Sequence, residues 1–217
     1  MIILGVFFYQ KSIADEKLRI ISLSSTATEI LYEIGAGSSI VAVDKDSDFP
    51  AQVIQTKLDS FTPSLEAIVL HRPNLVVLAY DMNDIVYSLQ SLGISVILQP
   101  PAKNFVEILH QILELGNLTD KMLVAKNLSI RLNKEFLEIV DNCNLTNNPR
   151  IYHEIDRNFY SASSFSFIGD IYKRLGFANI ADIADPQKNG FPKLSVEYIL
   201  ASNPEIIILP GAKENEV

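Results

Sequence analysis

The sequence predicts an α/β fold of two Rossmann-like lobes with parallel sheets, joined by a long backbone helix, the second lobe being truncated. Three observations predict it. Short apolar runs alternate with amphipathic stretches through residues 18–104 and again from 150 onward. Residues 105–142, between them, carry helical spacing alone. The second alternating stretch also repeats the first: PSLEAIVLHRPNLVVL (63–78) aligns with KLSVEYILASNPEIIIL (193–209). Ser64 falls on Ser195, Glu66 on Glu197, Ile68 on Ile199 and Pro73 on Pro204, at a constant offset of 131. A repeat this long indicates structural duplication.

Strands are predicted at 18–23 (LRIISL), 40–43 (IVAV), 74–79 (NLVVLA) and 94–98 (ISVIL), with helices at 26–34, 64–71 and 83–91. The strands are uniformly apolar and branched, as a parallel sheet covered on both faces requires. Gly35 and Gly93 stand where left-handed C-terminal caps are needed. In the connecting segment, 105–142, Gly116 reads as a break and Thr119 as the N-cap of a long helix over about 120–140. A strand at 150–155, helices at 165–175 and 195–201 and a strand at 205–210 make up the second lobe, 150–217. GDIYKRLGF there echoes TEILYEIGA, setting Gly176 on Gly35. A lobe built like the first needs a further strand and helix. At the other end, MIILGVFFY precedes QKSIADEK, in which Ser12 and Ala14 are spaced like the small residues of a signal-peptidase site. Residues 1–14 read as a clipped secretory signal or as an edge strand.

The net charge of −8 argues against nucleic acid as a partner, since phosphates need a basic surface. No apolar run is long enough to cross a bilayer. Cys143 is the only cysteine, which excludes an intrachain disulfide and a thiolate metal cluster. His71, His110 and His153 share no metal-ligand spacing. There is no G-x-S-x-G elbow, P-loop or G-x-G-x-x-G, so no catalytic activity, metal or cofactor is expected.

Ligands of parallel sheets sit beyond the carboxyl ends of the strands. The segments expected there are 24–29 (SSTATE), 44–50, 79–84, 156–164 and 182–192, facing each other across a cleft between lobes. They supply Phe49, Tyr80, Phe159, Tyr160 and Phe191 as candidate ligand-binding residues, with few basic residues (Lys45, Arg157, Lys188). In SSTATE, Thr26 and Glu29 fit a capping box, and the same helix end could hold an anion. The string also resembles the phosphate loop of flavodoxins, which makes an FMN-binding electron carrier an alternative. A single-lobed flavodoxin has no place for the 131-residue repeat. Asp46 and Asp48 read as turn residues. Glu66 and Glu197 each lie two residues past a capping serine. Either they complement helix dipoles, or they form a symmetric pair of acids that docks onto a two-fold partner.

RIISLSSTATEILYEIGAGSSIVAVD, PSLEAIVLHRPNLVVLA and GFPKLSVEYILASNPEIIIL resemble the substrate-binding proteins of ABC importers for vitamin B12, haem and ferric siderophores, over about residues 18–210. The resemblance implies a monomeric, periplasmic protein whose Glu66 and Glu197 dock onto arginines of a permease dimer. DSDFP and NGFPKLS are most similar to the cobalamin binders, where aromatics from both lobes sandwich the corrin ring. Phe49 and Phe191 match such positions and Tyr80 lies close to one. Asp46 and Ser60 stand where those proteins can carry aromatics, and the chain has no tryptophan. The implied ligand is a corrinoid, with a haem or ferric siderophore as the alternative within the class.

Overall fold

The computed structural model describes residues 17–143, 145 and 147–211. The predicted signal segment at 1–14 and the last six residues of the predicted second lobe lie outside them. The chain divides into two compact units. Residues up to Thr28 together with Gly37–Leu98 form the first; Glu29–Ala36 together with the chain from Gln99 onward form the second.

In the first unit, β1 (Ile20–Leu23), β2 (Ile40–Val43), β3 (Leu75–Leu78) and β4 (Ser95–Leu98) form a wholly parallel sheet in the order β2-β1-β3-β4. All four residues of β1 and of β3 are buried, so both faces of the sheet are covered. Helix α1 (Ser25–Glu33) follows β1, and α2 (Leu65–Leu70) and α3 (Ile85–Ser91) flank β3. Ile21, Leu23, Val76 and Leu78 share one apolar cluster with Ile68 of α2 and Ile85 and Leu89 of α3. Each such side chain contributes about 1.5–3 kcal/mol on burial. The helix expected over 83–91 is shorter, because Asn83 and Asp84 take left-handed backbone angles in a 3-10 turn before α3.

In the second unit, α4 (Phe105–Leu118) and α5 (Met122–Asn142) precede β5 (Arg150–His153), α6 (Phe167–Arg174), β6 (Ala178–Asn179), α7 (Val196–Ser202) and β7 (Ile206–Ile208). The three strands are again parallel, in the order β6-β5-β7. The α/β class, the parallel sheets and the long helix are those the sequence predicts. At two residues, β6 is too short to leave a pattern.

The α4–α5 connection differs from expectation. Gly116 is no break: it is buried inside α4. A Cβ there would stand 2.3 Å from Cβ of Ala125, so glycine is what lets α5 lie this close. Thr119 caps the end of α4, not the start of α5, donating its hydroxyl to the Leu115 carbonyl at 2.7 Å. Asp120 takes the left-handed position and Lys121 N–H closes the turn onto the Gly116 carbonyl. The same closure, with glycine in the left-handed position, ends α1 at Gly35, α3 at Gly93 and α6 at Gly176.

The 131-residue repeat extends to individual hydrogen bonds. Arg19, just before β1, donates Nε to the Arg72 carbonyl at 2.8 Å and Nη2 to the His71 carbonyl at 2.5 Å. Arg150 donates Nε to the Asn203 carbonyl at 2.9 Å. The Arg19 amide bonds the Asn74 side chain at 2.8 Å, and the Arg150 amide bonds that of Glu205 at 2.6 Å. The reverse bonds, Asn74 N–H to Arg19 O and Glu205 N–H to Arg150 O, are also present. Except for the Arg19–His71 bond, which has no counterpart at Arg150, each of these partners is displaced by 131.

Gly116→Ala is expected to lower stability by about 1–3 kcal/mol through overpacking against Ala125. A shift of the urea midpoint at unchanged slope measures it.

Candidate functional site

The strand orders fix where a ligand can sit. From β1 the chain goes outward to β2 and then returns to the other side as β3; β5, β6 and β7 repeat the pattern. Each sheet therefore has a topological switch point beside its central strand, between β1 and β3 and between β5 and β7.

In the first unit, β1 runs straight into α1, so the capping hydroxyl comes from Ser24. Its Oγ accepts from the Ala27 amide at 3.3 Å and its carbonyl from the Thr28 amide at 2.9 Å. The Thr26–Glu29 capping box is thereby corrected: both side chains are exposed on α1, and Thr26 stands two residues past the capping Ser24. The other hydroxyls turn inward. Ser22, Thr28, Ser47 and Asp44 are all buried. Ser22 Oγ donates to the Ser24 carbonyl at 3.1 Å and Thr28 Oγ1 to Ser22 Oγ at 2.9 Å. Ser47 Oγ lies 3.1 Å from Thr28 Oγ1 and 2.6 Å from Asp44 Oδ1. With Asp44 ionised, the Ser47 proton goes to the carboxylate and the Ser47–Thr28 contact has none. With Asp44 neutral, its own proton starts a chain in which every contact carries one. Burial, only partly offset by the Ser47 hydrogen bond, correspondingly pushes the Asp44 carboxyl above the ordinary carboxylate range.

Tyr80, in the loop after β3, stacks on Phe61 with ring centroids 5.1 Å apart. Phe61 was missed by sequence reasoning, although it is 53% exposed beside Tyr80. Asp59 holds it, accepting from the amides of Phe61 at 2.9 Å and Thr62 at 3.3 Å. Lys45 donates to the same carboxylate at 2.6 Å and, with those amides, holds its pKa at about 2. Lys45 is thus consumed by an ion pair. Phe49 is 60% exposed in the loop after β2.

In the second unit, Phe159 (φ 63°), Tyr160 and Phe191 lie on two loops joined by the antiparallel bridge Tyr160–Lys193. Ser161 N–H donates to the Pro192 carbonyl at 2.9 Å and Leu194 N–H to the Phe159 carbonyl at 3.0 Å. Buried Asp185 anchors this loop pair. Its carboxylate accepts from Ser163 Oγ at 2.6 Å, the Gly190 amide at 2.8 Å and the Asn189 amide at 2.9 Å. Burial raises its pKa, but these donors outweigh burial and hold it below the usual range. Asp182 accepts from the Ser164 amide and hydroxyl at 2.7 and 2.8 Å.

Glu66 and Glu197 are exposed in the first turns of α2 and α7. Ser64 Oγ accepts from the Ala67 amide at 3.3 Å and donates to Glu66 Oε2 at 3.0 Å; Ser195 Oγ accepts from the Tyr198 amide at 3.2 Å. Both glutamates are held below their ordinary pKa, first by their own backbone amides and then by the capping serines. Among the described residues, no three His, Cys, Asp or Glu side chains converge on a cation position. His153 Nδ1 lies 2.7 Å from the Tyr172 hydroxyl, and burial lowers its pKa. Cavities of about 690 Å³, at the end of α5 beside Cys143, and about 380 Å³, beside the first turns of α4, are lined by other segments than these loops. No described helix is long and apolar enough to cross a membrane.

The profile of the periplasmic binding protein family matches residues 20–216. A vitamin B12-binding protein of Vibrio parahaemolyticus is 24% identical over 212 residues, covering 94% of this chain and 75% of that one. Among solved structures, a Staphylococcus epidermidis protein described as a possible iron-binding (periplasmic solute-binding) protein superposes with a TM-score of 0.77 at 26% identity, covering 91% of this chain and 79% of that one. The haem-binding protein RhuT of Roseiflexus sp. RS-1 gives 0.79 at 20% identity, with 89% and 76% covered, a likeness of fold.

Asp44 and Asp185 are expected to give pH dependences of opposite sign. A raised folded pKa favours the fold in acid, and that contribution is lost as pH rises through it. Asp44→Asn, which keeps the neutral form, should match wild type near pH 4 and become relatively more stable towards pH 7. A lowered folded pKa stabilises above the ordinary carboxylate range and is lost as pH falls through it. Asp185→Asn should therefore cost about 2–3 kcal/mol at pH 7 and less in acid. Thermal unfolding of both variants between about pH 2 and 7 tests the pair.

Proposed function

Because the chain belongs to the periplasmic binding protein family, we propose that it captures a corrinoid, cobalamin-like ligand outside the cytoplasm and delivers it to the permease dimer of an ABC importer. The observation that carries this reading is the matched pair of Ser-x-Glu helix starts, Ser64–Glu66 and Ser195–Glu197. Each glutamate is exposed, ionised and pinned at a helix start by its own cap. A helix dipole accounts for either one alone, whereas two equivalent acids in duplicated surroundings suit a two-fold partner with basic residues.

In this reading the aromatic residues Phe49, Tyr80, Phe159, Tyr160 and Phe191 bury the ligand's apolar faces, joined by Phe61. Residues 105–142 act as the connector between the two ligand-gripping lobes. The function is capture and delivery, with no catalytic step. A haem or ferric siderophore is the alternative cargo within the same class. The FMN reading loses its footing, since the Ser24 and Thr28 hydroxyls of SSTATE are engaged in the helix cap and in buried hydrogen bonds, and the family match spans both sheets.

Calorimetric titration with cyanocobalamin is expected to show saturable one-to-one binding. Glu66→Ala combined with Glu197→Ala is expected to leave that affinity unchanged while reducing import about thirtyfold or more, the scale for truncating partners of interfacial charge pairs. Loss of ligand binding by the folded double variant would sink the docking assignment.

A further inference from the structure

We propose that Lys188 and Lys193 form an anion subsite on the second unit, taking an anionic oxygen group of the ligand, carboxylate or phosphate. The inference rests on the ligand-capture reading above and deepens it. Both lysines are exposed, on the loop that carries Phe191. Lys188 Nζ lies 5.3 Å from the centroid of the Phe165 ring, and Lys193 Nζ lies 5.8 Å from that of Tyr160. Neither ammonium forms an ion pair or a hydrogen bond among the described residues. A ring face attracts the cation but accepts none of its three N–H bonds strongly, so those donors stay available.

The acids on the same loop are engaged by other donors. Asp182 is satisfied by Ser164, and Asp185 by Ser163, Asn189 and Gly190. The carboxylates that could neutralise the lysines serve instead to fold the loop. That folding has a cost at Lys188, whose φ of +57° is a conformation suited to glycine or asparagine, both of which stand next in the chain. The Lys188 amide is held there by the Asp185 carbonyl at 3.1 Å. A long cationic side chain kept in a strained backbone position, over an aromatic face and without a counter-ion, has the character of a site awaiting its partner. Lys193 is fixed by its antiparallel bridge to Tyr160. The first unit supplies the contrast, because its loop lysine, Lys45, is already paired with Asp59.

The test is calorimetry of wild type and Lys188→Gln/Lys193→Gln with two matched pairs of probes. Haemin is set against its dimethyl ester, which lacks the free carboxylates; cyanocobalamin is set against dicyanocobinamide, which lacks the phosphate-bearing loop. We expect the anionic member of one pair to lose about tenfold or more in affinity in the double variant, with the loss shrinking at high salt, while its neutral counterpart binds both proteins equally. The pair that responds identifies carboxylate or phosphate as the group held. Unchanged affinity for the anionic probes, or an equal loss for anionic and neutral members, overturns the subsite and leaves ligand capture standing. Wild type that binds none of the four probes overturns the capture reading as well. Lys188→Gly should raise the unfolding midpoint by relieving the strained φ while weakening the anionic probe; a glycine variant that keeps full affinity removes Lys188 from the subsite.

Discussion

An α-helix ends with carbonyls that have no partner within the helix, and in both units one arginine takes up those of the helix that precedes a central crossover. Arg19 clasps the end of α2 and Arg150 the end of α7, each from the residue before or at the start of the central strand. The clasp joins the beginning of one strand to the turn that begins its neighbour. It accompanies the registers Ile20–Leu75 and Ile151–Ile206, which are again 131 residues apart. The two pairings lie at the switch points of their sheets, and beyond the strand ends there stand the loops that carry the aromatics. Arginine suits the task because its planar fork has several donors and never loses its charge: Arg19 addresses two adjacent carbonyls, while Arg150 addresses one and turns Nη2 to Glu205 at 3.4 Å.

The two buried aspartates show how burial and the donors around a carboxylate together decide the fate of a charge. Asp44 and Asp185 are nearly inaccessible to a similar degree. Asp185 is met by two backbone amides, which can only donate, and by a hydroxyl that donates to it, and ionisation is favoured. Asp44 is met by a row of hydroxyls that can reverse their direction, and such a row accommodates a neutral acid at least as well as a charged one. The first arrangement stiffens a loop; the second fills the strand end with polar groups that need no water.

Much of the architecture is legible in the chain because it depends on short-range chemistry. Branched apolar runs, glycines at helix ends and serines two residues before Glu66 and Glu197 each act within a few positions, and each lies where the sequence places it. The duplicated segment is legible because both copies keep the same apolar spacing. What escapes reading depends on contacts distant in sequence. Gly116 looks like a helix breaker until Ala125 is seen against it. Ser24 and Thr26 are equally good caps on paper, and the choice follows from where β1 stops. Phe61 belongs with Tyr80 only through the stacking of two loops, and Lys193 is distinguished from an ordinary surface lysine only by the ring of Tyr160 across a bridge.

The contact between Gly116 and Ala125 has a consequence for how the sequence can drift. Positions 116 and 125 together have room for a single methyl group. Alanine at 125 closes the route to alanine at 116, while glycine at 125 would open it; the two positions are therefore epistatic, with the sign of a change at one set by the other. A helix pair held this close evolves as a unit, by exchanging the methyl between its partners and never by adding a second.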